Sequence, residues 1–255
     1  MSRLSLATVL ALAGTAPALA AGPALPPTPV YRLPPERVGE PAFVQVSRSG
    51  FYVGTVTGAA FLRPQRSRFD PPTTGLVLRT DYEVAAYAAG RLGYAFDPLF
   101  GTIHPRVEAE VGYASSAVDR YRIGTVATPR VDSFGEARAL QGYVNVMFDM
   151  DVGLPVRPYV GGGVGAARVQ LRRQGTSAAG VVVDAADTGF AYHLDAGVNL
   201  DLAQLGTSPL LQGTTVELGY RWTQAPDLRF GTRDGGGFEA DYQSNAVTLG
   251  TRKSF

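Results

Sequence analysis

The stretch "VRPYVGGGVGAARVQLR", residues 156–172, decides the fold. It alternates like a strand, yet Gly161, Gly162 and Gly163 stand where strands normally carry β-branched residues. Beyond them Arg168, Gln170 and Arg172 alternate with Ala167, Val169 and Leu171. If Val169 and Leu171 face outward, so do Tyr159, Gly161, Gly163 and Ala167. Val160, Gly162, Val164 and Arg168 then face inward, and Gly162 makes room for bulky charges inside a narrow closed sheet. "GGGVGAA" is no phosphate cradle, since no helix and no GK[ST] follows it.

Seven further segments share this period of two: Phe51–Leu62, Tyr82–Ala95, Pro105–Ser115, Ala139–Asp151, Gly189–Leu202, Thr214–Thr223 and Tyr242–Phe255. The strand 157–171 makes eight. They are longer than ordinary globular strands and long enough to span a bilayer. Their two faces differ. In the sixth, Phe190, Tyr192, Leu194, Ala196, Val198 and Leu200 oppose His193, Asp195, Gly197, Asn199 and Asp201. The connections alternate between long polar segments (Arg63–Asp81, Ser116–Arg138, Arg172–Thr188, Gln224–Asp241) and short turns such as "FDPLFGTIH" and "DVGLPV".

A soluble sandwich or ligand-binding barrel would put the apolar face inside. Strand length, alternating loop length and aromatics near strand ends (Tyr52, Phe61, Tyr94, Phe96, Tyr159, Tyr220, Trp222, Phe255) favour the reverse. The expectation is an all-β, eight-stranded antiparallel up-and-down transmembrane β-barrel over residues 50–255. Its long loops lie outside the cell and both its ends in the periplasm.

The N-terminus fits export. Met1-Ser2-Arg3 and the apolar Leu4–Ala13 lead to Ala18-Leu19-Ala20, so residues 1–20 read as a signal peptide. Gly14, Thr15 and Pro17 keep the apolar run too short to be a membrane anchor. Residues 21–49, crowded with proline, read as an extended periplasmic tether. The chain has no cysteine, so no disulfide supports it and no lipoprotein anchor is available. A net charge of +1 over 255 residues argues against a nucleic-acid partner.

These residues resemble the eight-stranded outer-membrane β-barrels of proteobacteria, the OmpA-like and opacity-type surface proteins. "GFYVGTVTGAAF" (50–61) resembles that family's first strand. "GYVNVMFDMD" with "VRPYVGGGVGAA" resembles its fourth strand, tight turn and fifth strand. "AVTLGTRKSF" (246–255) resembles its terminal strand, with Phe255 as the assembly signal and Lys253 where the family carries an aromatic or apolar residue. The resemblance implies an outer-membrane location, with outer-membrane lipid, lipopolysaccharide and the assembly machinery as partners. No peptidoglycan-binding segment follows the barrel.

The sequence offers little chemistry. Its two histidines, His104 and His193, are far apart, and His193 has no serine on its strand. "DMD" (149–151) is a weak cation motif beside a turn. No catalytic, metal or cofactor site is expected. The role expected is structural, surface-interacting or weakly pore-forming. The alternatives are an outer-membrane enzyme acting on lipid A and a secreted barrel binding a small hydrophobic ligand. The loops "RPQRSRFD" (63–70) and "FGTRDGGGFEAD" (230–241) offer surface for lipopolysaccharide phosphates or a host ligand.

Extending the strand registers places Glu83, Glu108, Glu110, Asp149, Asp195, Asp201 and Glu217 in the lumen. Arg91, Arg106, Arg168, Arg221 and Arg252 join them, with His193 beside Asp195 and Arg172 at the rim. Near-balanced charges in a narrow space are expected to pair into one network and leave no wide channel.

Overall fold

The computed structural model describes residues 49–70, 77–123, 126–127, 129, 132–178, 180–206, 208–231 and 236–255. The proposed signal peptide and all but the end of the tether lie outside them.

Eleven strands follow one another: β1 (Gly50–Leu62), β2 (Gln65–Asp70), β3 (Val77–Tyr82), β4 (Ala85–Ala95), β5 (Ile103–Ile123), β6 (Val126–Ala127), β7 (Ser133–Met150), β8 (Val156–Thr176), β9 (Gly180–Asp201), β10 (Thr214–Gly231) and β11 (Gly237–Ser254). Eight of them form a closed antiparallel ring in the order β1-β4-β5-β7-β8-β9-β10-β11, and β11 returns to β1. The closing seam runs from Tyr52↔Ser254 to Leu62↔Ser244. The fold is an eight-stranded up-and-down barrel.

β2 and β3 prolong β1 and β4 past the breaks at Arg63–Pro64 and Glu83–Val84. β2 takes over the pairing with β11, and β3 takes over the pairing with β5. Pro64, which has no N–H to give the ladder, stands at the first of these breaks. At the opposite end, the turn after β7 is tight. Gly153 adopts φ 72°, open to glycine, and donates its N–H to Asp151 Oδ1 at 3.0 Å.

Three of the long segments expected to be loops are largely strand. β5 continues to Ile123 and β7 starts at Ser133, while β8 runs to Thr176 with β9 from Gly180, and β10 runs to Gly231 with β11 from Gly237. The polarity of these segments misled because their alternation persists with its chemistry reversed. Near the turns of the short connections, apolar side chains point outward: Leu92, Val111, Val144, Val164, Leu194 and Leu218 are all more than half exposed. Towards the other end they point inward. There Val169, Leu171, Leu228, Phe230, Phe238 and Tyr242 form a buried core, and Asp184, Arg229, Glu239 and Asp241 face outward.

The outward apolar surface is a belt. Along β8 it runs from Val156 to Ala166, which at ~3.3 Å per residue and a strand tilt near 40° spans roughly 25 Å. Aromatic rings edge it: Phe51, Tyr94 and Phe96 in a chain with 5.0 Å centroid spacings below, and Phe190, Tyr192 and Trp222 above. Among the described residues every register shift lies above the belt, at Phe134/Glu136, Leu171/Gln174, Gln174/Gly175, Ala225/Leu228 and Asp81/Tyr82. In lipid an unpaired N–H costs several kcal/mol, whereas in water a bulge is tolerated. The belt and its uninterrupted ladders mark the bilayer-spanning tier.

Two expectations about direction are corrected. In β8 the faces are exchanged: Tyr159, Gly161, Gly163, Ala167, Val169 and Leu171 turn inward, and Val160, Gly162, Val164 and Arg168 turn outward. Val169 and Leu171 suggested a lipid-facing phase, but they lie in the upper tier, where the apolar side is inside. Tyr52 and Tyr159, expected in the aromatic rim, are buried in the lumen at 1% and 6% exposure.

The inward glycines have a packing reason. A Cβ on Gly93 would run into the Tyr52 ring, one on Gly219 into the Tyr159 hydroxyl, and one on Gly163 into Asn145 Oδ1 and His193 Nε2. Large lumen side chains lie flat across neighbouring strands only because those positions lack a Cβ. Gly93→Ala should therefore cost about 1–3 kcal/mol in urea unfolding of the refolded barrel. The cost should shrink in a Tyr52→Leu background. An equal cost in both backgrounds would separate the glycine from the ring.

Candidate functional site

The inward positions of the spanning tier carry a buried charge network. On β5, Arg106, Glu108 and Glu110 alternate inward and are 1–2% exposed, since two residues per repeat keeps them on one face. Facing strands add Arg91 from β4, Asn145 and Asp149 from β7, His193 and Asp195 from β9, Glu217 and Arg221 from β10 and Arg252 from β11.

Two clusters result. In the lower one, Arg106 bonds Glu108, contacts Asp149 at 3.1 Å and lies 3.5 Å from Glu217. Arg91 bonds Glu217 at 2.5 Å and approaches Glu108 at 3.6 Å. Arg252 reaches Asp149 at 3.2 Å and Glu217 at 3.3 Å. The Tyr52 hydroxyl donates to Glu108 Oε1 at 2.6 Å. Arg106, Arg252 and Arg221 lie over the rings of Tyr159, Tyr52 and Tyr87 with centroid distances of 5.3–5.5 Å. The contacts of Arg106 Nη2 and Arg252 Nη1 with Glu217 Oε1 are ion-pair contacts without hydrogen-bond alignment.

The upper cluster centres on Arg221. It holds Asp195 with two bonds of 2.8 and 2.9 Å, grips Glu110 with both terminal nitrogens, and donates to the Tyr87 hydroxyl. Asn145 joins the clusters, its amide lying 3.2 Å from Glu110 and 3.4 Å from Glu108. Because both carboxylates only accept, Asn145 gives them its NH₂ and turns its oxygen to His193 Nε2 at 2.9 Å, which then donates. His193 Nδ1 lies 3.1 Å from Asp195 Oδ2, close in distance but bent in angle. Arg91, Arg106, Arg221 and Arg252 thus stand against Glu108, Glu110, Asp149, Asp195 and Glu217, with Arg157 buried beside them at the lower mouth.

Two expected members, Glu83 and Arg168, are elsewhere, and Asp201 lines the lower mouth of the lumen with Arg106, Asp149 and Arg252. Glu83 is exposed in the break between β3 and β4, because the strand does not run straight from Tyr82 into Ala85. Asp201 sits at the lower rim and accepts from Ala203 N at 3.0 Å, capping the short 3₁₀ turn Leu202–Leu205. Arg168 is outward and exposed, by the exchanged phase of β8. Arg172 also faces outward. Asp149 and Asp151 part company, one in the network and the other in the turn. His104 is buried at the lower mouth, near Arg157 and Arg252, far from His193 in the fold's register. Phe255 is 77% exposed, and its N–H bonds Phe51 O at 3.1 Å, which extends the closing seam to the last residue.

Asn145, Tyr52, Tyr87 and Tyr159 are the network members that charge counting misses. The available signal was parity, since Tyr52 and Tyr159 stand two residues from Gly54 and Gly161 on faces that hold glycine and charge.

No family model matches this chain, and no curated protein matches it. Among solved structures, it is similar to Neisserial surface protein A, with 16% identity, a TM-score of 0.41, and coverage of 81% of this chain and 98% of the other. It is similar to outer membrane protein OprG from Pseudomonas aeruginosa at 11% identity and TM-score 0.44, covering 81% and 98%. It is also similar to outer membrane protein AlkL at 14% and 0.42, covering 86% and 98%. At these identities the likeness is one of fold alone.

The two arginines once grouped together should now behave oppositely. Arg221→Ala leaves Glu110 and Asp195 buried without their cation and should cost about 3–5 kcal/mol. Arg168→Ala should leave the urea midpoint of the refolded barrel unchanged. A midpoint lowered as much by Arg168→Ala as by Arg221→Ala would contradict the outward phase of β8.

Proposed function

We propose that the chain is an integral outer-membrane barrel that works through its outer wall and its far tier, with a lumen closed to bulk flow. One observation carries the reading: the interior is filled twice over, by a paired charge network in the spanning tier and by an apolar core above it. Arg106, Glu108, His193, Asn145 and Asn199 are at most 1% exposed. Desolvating each ion costs several kcal/mol, which only a connected set of partners offsets, so opening a pore would have to break many bonds together. The role is structural or surface-interacting. The far tier, with its outward charges and strand-built hairpins, is the surface presented outside the cell, and the short turns and both ends of the barrel face the periplasm.

In planar bilayers the purified protein should give no large, steady conductance. Porin-like currents at neutral pH would defeat the closed-lumen reading. Protease added to intact cells should cut between β5 and β7 or between β10 and β11 and spare "DVGLPV" in the periplasm. Cleavage confined to 151–156 would reverse the orientation. Deleting Phe255 should lower the heat-modifiable, folded fraction in the outer membrane by removing the last bond of the seam. An unchanged fraction would remove Phe255 from assembly.

A further inference from the structure

Arg168 changes meaning once it lies outside. It sits in one cross-strand row with Leu140 and Tyr113, at the upper edge of the apolar belt. Arg138 and Arg172 follow on the same outward face of β7 and β8. Glu136 contacts both of them, at 2.6 and 3.8 Å, so three arginines stand against one carboxylate. Arg168 makes no side-chain hydrogen bond or ion pair among the described residues. Carboxylates follow around the ring at this height: Asp184 on β9, beside the Arg172 end of β8, then Asp227 on β10 and Glu239 and Asp241 on β11 are exposed, with Arg229 tied to Glu239 at 3.0 Å.

Directly below the arginines the belt is hollowed. Gly90, Val111, Gly142 and Ala166 are opposed in a single row across β4, β5, β7 and β8, one row beneath Arg168. A Cβ on Gly90 or Gly142 would meet nothing within 4 Å, so these two glycines floor an open groove, walled by Val111, Val144 and Val164. Leu140 and Ala166 stand between the groove and the arginines.

The geometry points to a binding site for a phosphorylated, acylated glycolipid of the outer leaflet, lipid A being the chemical class. An acyl chain lies in the groove over Gly90 and Gly142, and a phosphate sits on Arg168 with Arg138 and Arg172 beside it. Charge complementarity decides the occupant. A hydrocarbon chain alone would fill the groove without needing three cations at its head, and a phosphate pairs with guanidinium in bidentate, charge-assisted bonds. The site rests on the outer-membrane reading and gives the outer wall a specific ligand.

The test uses the full-length mature barrel in nanodiscs of phosphatidylcholine. These are doped with bis-phosphorylated lipid A or with the same lipid after dephosphorylation, and the lipid retained per barrel is read by native mass spectrometry. Wild type should retain the phosphorylated form preferentially. Arg168→Ala should lower that retention about tenfold, the value of a charge-assisted bond. Arg229→Ala, among the carboxylates of β10 and β11, should leave it unchanged. Gly142→Leu, which has room to fold, should fill the groove and reduce retention of both lipids. Equal retention of the two lipids by wild type, or equal retention by wild type and Arg168→Ala, overturns the site. Retention indifferent to Gly142→Leu overturns the groove as its acyl subsite. Heat-modifiability and nanodisc incorporation are read on the same samples. A chain that does not enter the bilayer defeats the outer-membrane reading, whereas one that enters without lipid A preference defeats only this site.

Discussion

Closure of the ring is the constraint on which the rest depends. A backbone N–H in hydrocarbon has no water to turn to, so every strand in the spanning tier needs a neighbour on both sides. β1 and β11, at opposite ends of the described barrel, supply it to each other along the seam from Tyr52↔Ser254 to Leu62↔Ser244. Without that seam two edges would face lipid. The same requirement explains why the register shifts gather above the belt, where water or a side chain can take the orphaned group.

Closing only eight strands makes the lumen narrow, and its contents follow from that. Side chains must fill the space, and the ones present are charged, so they must also pair. The pairing is geometric before it is electrostatic. Tyr52, Tyr87 and Tyr159 lie under guanidinium groups and hold their orientation, and glycines on adjacent strands give the rings somewhere to lie. Asn145 then joins the two clusters, because an amide can donate to two carboxylates while accepting from an imidazole. The result is a densely paired filling, and the surface left available for interaction is the outside of the barrel.

The strands outlast the membrane, and the chain answers the change of solvent by exchanging its faces' chemistry without changing its period. Below, apolar residues face lipid and charges face one another. Above, apolar residues face one another and charges face water. The boundary on β8 falls between Ala166 and Arg168. Above that boundary the outward charge changes around the ring, with arginines on β7 and β8 and carboxylates from β9 to β11.

The sequence by itself determined the strand period, the closed eight-stranded architecture and most of the lumen charges. Arg106, Glu108 and Glu110 on one strand, or His193 and Asp195 on another, share a face whatever the surroundings. It did not determine where each strand ends, because Ser116–Arg138 and Gln224–Asp241 look like polar loops when their inward residues are not known to meet. Nor did it determine the phase of β8. "GGGVGAARVQLR" carries apolar residues on one parity below the boundary and on the other above it, so either choice satisfies part of the stretch. Only the neighbours decide: pairing Leu140 with Arg168 and Gly163 with His193 sends Arg168 out and Gly163 in. Alternation reports that two faces differ, and the tertiary structure alone reports which solvent each face meets.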